Sequence, residues 1–228
     1  MNYNLNKNLE TFSLALTGDV SLATPEMQTR VRFFIKPNTG RKERIEIIKW
    51  AAQNNYNTVV FSLSEKLSAK SECIKTAKHY GFFIEAGGRD LSLLMPRRLF
   101  MFHRSLFRME QGKRKKSHHF CPTNPKTTSV ISKRAGKLFA RFMQILSVPR
   151  IFHLLPDEGE ENSWCACPAC RAFSPFEQNI IAVNCAADAL LKLDPDASLS
   201  FLNTGTQPET EGVPPRQNMF QLNMKPLA

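Results

Sequence analysis

The sequence has no apolar run long enough to cross a lipid bilayer. It also lacks the basic start and apolar stretch of a secretory signal, so we expect a cytoplasmic protein. Six cysteines in 228 residues are too few for a disulfide scaffold of the kind found in small secreted proteins. There is no Walker phosphate loop and no dinucleotide-binding glycine fingerprint, because Gly87 and Gly88 alone are too short for either.

The composition is that of a globular protein, with 42% hydrophobic residues. This excludes wholesale disorder and fibrous repeats. The length of 228 residues suits one large domain or two small ones. Because patterning is weak before residue 29, we predict an N-terminal extension over residues 1–28 and a single domain over residues 29–228.

Positive charge is in excess, with 31 Lys and Arg against 20 Asp and Glu and a net charge of +11. The excess is concentrated between Arg97 and Lys116, where eight basic residues accompany one acid, Glu110. Such a segment is typical of a solvated loop, of a clamp for an anionic ligand or of a nucleic-acid-binding surface. The sequence alone leaves all three interpretations open.

Short apolar strands alternate with helices along the chain. Strands are predicted at residues 31–35, 58–63, 82–87, 150–155 and 198–202, with a sixth candidate at 219–224. Helices are predicted over residues 43–53, 68–80, 125–145 and 175–192, and a long basic loop precedes the third. This alternation predicts an α/β fold with a parallel sheet. We expect a TIM-type (β/α)8 barrel in partial form, because a complete one needs roughly 250 residues and eight strands.

In a parallel sheet or barrel, ligand-binding groups gather at the carboxyl ends of the strands. Asp157 and Glu158 follow the fourth predicted strand. Two neighbouring carboxyl groups can divide the work of glycoside hydrolysis, one protonated and the other ionised. The run Asp-Glu-Gly-Glu-Glu also suits a solvated turn. The other substrate-contact candidates are Lys36, Asn38, Glu85, Arg89, His103, Asn124, His153 and Trp164.

Two of these candidates have a second interpretation that the sequence does not exclude. His153 lies within an apolar strand, where a histidine is commonly part of the core. Trp164 could stack on a sugar ring or simply pack against the cysteine-rich loop beside it.

A compact triplet of cysteines, Cys165, Cys167 and Cys170, has spacing that suits tetrahedral zinc with four N or S ligands. Cys121 is the best fourth ligand, because its loop and the loop of the triplet follow neighbouring strands. His118 and His119 are alternatives, and the triplet also fits reduced thiols or one disulfide. Four thiolates leave no open coordination position, so a zinc ion here would be structural.

The stretch Phe120-Cys121-Pro122-Thr123-Asn124-Pro125, a helix, and the stretch Ile-Phe-His-Leu-Leu-Pro-Asp-Glu-Gly over residues 151–159 resemble family 20 β-hexosaminidases. Those enzymes carry Cys-Pro-x-Asn-Pro before a helix and then His-x-Gly-Gly-Asp-Glu. The run Trp-Cys-Ala-Cys-Pro-Ala-Cys-Arg over residues 164–171 is similar to an uncharacterised bacterial family of hexosaminidase-like barrels. The resemblance covers roughly residues 30–203 and is most specific over 120–171.

The resemblance implies that Glu158 is the general acid and that Asp157 orients a substrate acetamido group, which itself attacks. Leu155 and Pro156 replace the two glycines of the family motif, and Arg89 stands where a histidine is expected. Arg89 and the basic segment suit an acidic sugar, because arginine binds carboxylates with a fork of N–H donors. We therefore expect a glycoside hydrolase; the alternative is a non-catalytic module that binds carbohydrate or, through its basic segment, nucleic acid.

Overall fold

The computed structural model describes residues 9–10, 30–156, 164–202 and 212–222. Its strands are β1 (Leu9–Glu10), β2 (Arg32–Ile35), β3 (Thr58–Phe61), β4 (Phe83–Gly88), β5 (Met109–Glu110), β6 (Lys113–Arg114), β7 (Ile151–Leu154), β8 (Ser198–Leu202) and β9 (Met219–Leu222). Its α-helices are α1 (Arg41–Gln53), α2 (Glu72–His79), α3 (Pro125–Phe142) and α4 (Pro175–Leu191). Apart from β1, the predicted N-terminal extension lies outside the described residues.

Seven strands form the main sheet, in the spatial order β1-β2-β3-β4-β7-β8-β9. The six strands from β2 to β9 in this order are parallel, and β1 is antiparallel to β2. Spatial order therefore follows chain order, as in a barrel, whereas a doubly wound sheet reverses direction at a switch point. Among the described residues the sheet is open, with β1 and β9 at its edges. The prediction of an α/β fold with a parallel sheet is confirmed.

The two faces of the sheet differ in chemistry because successive side chains alternate. One face carries the apolar positions, such as Phe33, Val59, Phe152 and Leu199, and packs against the helices in the main core. The opposite face carries Arg32, Glu85, His153 and Ser200, all fully buried. Helices therefore cover one face of the parallel sheet, and buried polar side chains occupy the other.

The sheet curves around its polar face. The ring centroids of Phe34 on β2 and His153 on β7 are 5.6 Å apart. Those strands are three positions apart, which is about 14 Å in a flat sheet. Curvature therefore brings side chains from separate strands together, and these side chains fill the concave side.

The predicted long loop after β4 contains several short elements. Three short 3-10 helices, Leu91–Leu94, Arg97–Met101 and Arg104–Leu106, precede the β5–β6 hairpin. Elements this short depend on tertiary contacts, so local periodicity did not reveal them. Helix α2 begins at Glu72 because residues 68–71 form a turn in which the Ser71 N–H donates to the Ser68 carbonyl at 2.9 Å. Among the described helices none is long and apolar enough to cross a membrane.

Candidate functional site

A network of charged side chains fills the polar face of the sheet, centred on Glu85. The Arg30 Nη1 donates to Glu85 Oε1 at 2.7 Å, and the Arg32 Nε donates to Oε2 at 2.7 Å. His153 Nε2 is also 2.7 Å from Glu85 Oε2, and its Nδ1 is 2.6 Å from Ser200 Oγ. The side chains of Arg30, Arg32, Glu85 and His153 are fully buried.

These contacts fix the protonation of the network. Burial by itself would raise the pKa of Glu85, but the charge of Arg32 and the contacts with His153 outweigh it, so the pKa lies well below its usual range. Burial lowers the pKa of His153 more than Glu85 raises it. The ionised Glu85 can only accept, so neutral His153 donates from Nε2 and accepts at Nδ1 from the Ser200 hydroxyl.

Sequence reasoning singled out Glu85 and His153 as substrate contacts but missed Arg30, Arg32 and Ser200. The structure joins Glu85 and His153 to each other and places both out of contact with solvent. The signal for the missed residues was present, since Arg32 interrupts an apolar strand and Ser200 alternates with apolar neighbours on β8. Polar residues at alternate positions of buried strands indicate a polar interior.

The acid pair, Asp157 and Glu158, lies outside the described residues, but the chain just before it is fixed. The Leu155 N–H donates to the Gly88 carbonyl at 2.8 Å, which extends the pairing of β4 with β7. Arg89, half-buried after β4, donates from Nη1 to the Pro156 carbonyl at 3.4 Å. Pro156, the last described residue before the acid pair, therefore lies beside Arg89 at the carboxyl edge of the sheet.

The remaining substrate candidates lie in several places. Lys36 and Asn38 follow β2, and the Asn38 N–H donates to Glu65 Oε1 at 3.3 Å. His103 is exposed among the 3-10 turns after β4. Asn124 caps α3, because its side-chain oxygen accepts from the Lys126 N–H at 2.9 Å and its amide donates to the Ser105 carbonyl. Lys36 and Asn38 follow the carboxyl end of β2, and Arg89 follows the carboxyl end of the parallel strand β4.

Cys121, Cys165, Cys167 and Cys170 form one buried cluster whose sulfur atoms all lie within 4.8 Å of one another. The Cys121 Sγ is 3.7 Å from the Sγ of Cys167 and 3.7 Å from that of Cys170. A disulfide bond would need about 2.05 Å, and all four cysteines are free. The expected meeting of Cys121 with the triplet is confirmed. Neither His118 nor His119 belongs to this cluster, and the four thiols could bind a metal ion.

N–H groups donate to the cysteine sulfur atoms, and helix α4 holds the loop that carries Cys165, Cys167 and Cys170. The Met109 N–H donates to Cys165 Sγ at 3.3 Å, and the Arg114 Nη1 approaches the same sulfur at 3.7 Å. Gln178 of α4 accepts from the Cys165 N–H and donates to the carbonyls of Cys165, Cys170 and Phe173. Such outer contacts orient ligands and favour their ionised form.

The thiols influence one another strongly. Hydrogen bonds from Cys165 and Cys170 hold the pKa of Cys121 well below its ordinary value. The same contact with Cys121 raises the pKa of Cys165 to about 11 and also raises that of Cys170. Cys121 therefore ionises readily, and its negative charge disfavours ionisation of the neighbouring thiols, since like charges repel. A bound cation would remove this opposition and allow all four to ionise.

Trp164, just before the cysteine triplet, lies against a surface depression of about 380 Å³. The ring of His119 stacks on Trp164 with centroids 4.1 Å apart and planes 14° apart. Burial lowers the pKa of His119 to about 4, so the stacked imidazole is neutral at neutral pH. The depression is also lined by residues of the β5–β6 hairpin and by Arg171, Phe173 and Pro175.

Comparison with known proteins gives a fold but no family. No protein-family profile and no curated protein matches the sequence. Two solved structures of the pneumococcal exo-β-D-N-acetylglucosaminidase StrH, one of them described by its tandem GH20 catalytic modules, have TM-scores of 0.55 and 0.56 at 12% and 11% identity. A β-N-acetylhexosaminidase from Bacteroides fragilis has a TM-score of 0.49 at 14% identity, covering 80% of this chain and 41% of its own.

The two StrH matches cover 81% of this chain and 56% and 55% of the matched chains. This chain therefore spans little more than half the length of those structures. At such low identity the likeness concerns the fold alone. The described part of this protein is similar in fold to glycoside hydrolase structures.

Proposed function

We propose that this protein acts on a carbohydrate as a glycoside hydrolase, with Asp157 and Glu158 as its acid pair. The observation that supports the proposal is that β7, which the acid pair follows in the sequence after Leu155 and Pro156, belongs to a sheet similar in fold to StrH. Ligands of parallel barrels bind at the carboxyl ends of the strands. We further propose that the six parallel strands belong to a TIM-type barrel.

In the proposed reaction Glu158 is protonated and donates its proton to the oxygen of the leaving group. Asp157 is ionised and orients the substrate group that attacks or stabilises the positive charge that develops at the sugar. Arg89 lies beside the start of this segment through its contact with the Pro156 carbonyl. A guanidinium at this position favours the ionised form of a neighbouring carboxylate.

Replacing Glu158 with Gln tests the proposal, because the amide cannot donate the proton. With oligosaccharide substrates, whose leaving alcohol needs a proton, we expect E158Q to lower kcat by ~100-fold or more while sugar binding is retained. E160Q in the same acidic run is the matched control and is expected to keep its activity. Wild-type turnover that survives in E158Q would overturn the assignment.

The substrate class that fits the charge is an acidic sugar. Arg89 and the basic segment from Arg97 to Lys116 follow β4, which ends at the same edge of the sheet as β7. R89A is expected to weaken the binding of uronic acid oligosaccharides and to leave that of neutral ones unchanged. Equal affinity of R89A and wild type for the acidic sugars would contradict this choice.

The second candidate is a non-catalytic module that binds carbohydrate or nucleic acid. The observation that favours nucleic acid is the basic segment, in which Phe102 is 79% exposed. Exposed aromatic rings among cations can stack on bases. Binding of this kind would weaken steeply as salt rises, whereas an uncharged sugar ligand would not respond to salt in this way.

We also propose that the metal at the four cysteines is a structural zinc ion. Four sulfur atoms at 2.3 Å from a tetrahedral zinc ion lie ~3.8 Å apart, close to the 3.7 Å separations of Cys121 from Cys167 and Cys170. Arg114 and the Met109 N–H partly offset the negative charge that four thiolates would bring. The ion would tie the loop before α3 to the loop before α4.

Metal analysis of the purified chain tests the zinc assignment. We expect one zinc ion per chain in the wild type and in C185S, whose sulfur lies outside the cluster, and none in C167S. Removal of the ion by a chelator should lower the Tm, and zinc should restore it. A wild-type chain that holds no zinc and melts at the same temperature with and without added zinc would contradict the assignment.

A further inference from the structure

We propose that the depression between the β5–β6 hairpin and the cysteine loop binds one ring of an acidic oligosaccharide, with Trp164 as the stacking surface and Arg171 as the anion contact. This inference rests on the proposed carbohydrate function and adds a second place of contact beyond the acid pair. Trp164 follows Glu158 by six positions in the sequence and is the first described residue after the acid pair.

The depression has the size and lining of a small-molecule site. Its volume of about 380 Å³ falls within the ~300–1,000 Å³ that is usual for such sites. Its wall combines aromatic and apolar side chains with a few polar ones. A sugar ring matches such a wall, because it has an apolar C–H face and polar hydroxyl groups at its edge. The lining includes Met109, Gln111, Trp164, Arg171, Phe173 and Pro175.

Trp164 is held in place before any ligand arrives. His119 stacks on its ring nearly parallel, and the His119 side chain is itself buried. A ring already fixed by packing loses little conformational freedom on binding. Trp164 is half-buried and lines the depression, so its indole offers a rigid apolar surface to the C–H face of a pyranose.

The polar groups at the rim favour a negatively charged ligand. Glu110 has its charge offset by Arg108 at 3.2 Å and Lys115 at 4.0 Å. Arg171 is exposed, and in the described structure its Nε donates to the Ala166 carbonyl at 3.1 Å. This bond fixes the side chain and leaves the two Nη groups to meet a carboxylate in a paired arrangement.

The floor and one side of the depression are rigid. Cys165, Cys170 and Gln178 line it, and Gln178 binds the cysteine loop through four hydrogen bonds. On the opposite side Gln111 and Gly112 form the tight turn of the hairpin, both with positive φ, of 47° and 76°. That backbone is typical of two-residue hairpin turns, and it keeps the Gln111 amide at the rim.

Tryptophan fluorescence gives a direct test, because Trp50 and Trp164 are the only tryptophans. In the full-length, zinc-supplemented W50F chain, Trp164 is the sole reporter. We expect digalacturonate to change its emission in a saturable way, with weaker binding as salt rises. W50F/R171A should bind digalacturonate at least ~10-fold more weakly, and W50F/K192A, which changes an exposed cation away from the depression, should match W50F.

The response of Trp164 emission to digalacturonate decides whether the subsite exists. Saturable emission changes that are weakened by R171A support the subsite. Emission that is unaffected by digalacturonate, or affected equally with and without Arg171, overturns it. E158Q separates this inference from the proposed reaction: a catalytically dead E158Q that still binds supports both, whereas wild-type turnover without any response of Trp164 overturns the subsite alone.

Discussion

At Gly87 the backbone of β4 passes so close to β7 that a side chain has no room. A Cβ placed there would lie 2.0 Å from the His153 carbonyl oxygen, and the φ of +128° is one that side-chain-bearing residues rarely adopt. We expect G87A to destabilise the protein by ~3 kcal/mol or more. In thermal unfolding this corresponds to a Tm lower by roughly 6–12 °C.

Gly136 on α3 provides the matched control for that prediction. A Cβ at Gly136 would meet no atom within 4 Å, and its backbone is helical. G136A should therefore leave the Tm unchanged or raise it slightly, since alanine is favoured over glycine in a helix by ~1 kcal/mol. If G87A and G136A have equal Tm values, the close approach of β4 and β7 is absent in solution.

Individual residues also show where sequence reasoning stops. The sequence marks Glu85 and His153 as unusual because they are polar residues within apolar strands. Their partners cannot be deduced from it, since Glu85 meets Arg30 55 residues away and His153 68 residues away. Cys121 was predictable as the companion of the triplet because parallel strands bring neighbouring loops to one edge. The contact of Arg114 with Cys165 could not be predicted in this way, because it depends on a short hairpin that the sequence pattern does not reveal.

At the scale of single elements, α4 anchors the cysteine loop through Gln178. The helix begins with a capping box in which the Ser174 hydroxyl accepts from the Glu177 N–H at 3.2 Å. One turn later Gln178 contacts four backbone groups of the loop, with its Oε1 accepting from one N–H and its Nε2 shared among three carbonyls. We expect Q178M, of similar size, to leave those groups unpaired and to cost at least ~3 kcal/mol.

Chemical unfolding measures this cost, and Q53M is its control because Gln53 is exposed at the end of α1. Q53M should change the midpoint little. The Q178M chain should also react faster with thiol reagents when zinc is absent, because its loop is less well held. A Q178M midpoint equal to that of Q53M would mean that the loop is held by other contacts.

Elements with strong periodicity were predicted well, and elements without it were not. The sequence located all five principal strands and four α-helices to within a few residues, because long apolar stripes dominate their formation. The region between β4 and α3 was predicted as a loop. Its 3-10 turns and hairpin are too short to be stable alone and depend on contacts with the cysteine cluster and the main core.

At the scale of the whole molecule, the buried charges make stability depend on pH. In the folded state the pKa of His153 lies below its ordinary 6.5, so the unfolded chain takes up a proton first as the pH falls. The pKa of Glu85 lies below its ordinary 4.5, so its contribution is lost at still lower pH. Both groups therefore make the folded state less stable as the pH falls, and the Tm should fall progressively below pH 6.5.

The variant H153Q removes the contribution of His153 and keeps that of His119, whose pKa burial also lowers. The variant can still donate to Glu85 through the new amide, which cannot titrate. Its Tm should fall less than that of wild type between pH 6.5 and 5. H79Q removes an exposed histidine of α2 and should keep the wild-type pH dependence. Identical pH profiles for H153Q and wild type would contradict a neutral, buried His153.

The overall architecture followed from the sequence because strand and helix alternate in a simple order. Chain order and spatial order agree along six parallel strands, as expected for barrel winding. Curvature and the charged filling of the concave face were not predicted, since they depend on side chains from strands that are not neighbours. The acid pair remains a prediction of the sequence and lies outside the described residues.

Thermal unfolding of the full chain with a panel of neutral, N-acetylated and acidic sugars tests the central claim most directly. A carbohydrate that binds only the folded state raises its stability by mass action. We predict that one class, the acidic sugars, raises the Tm of both wild type and E158Q, and that only wild type consumes the ligand. A Tm that no sugar changes, together with no turnover of any sugar, would contradict a carbohydrate function.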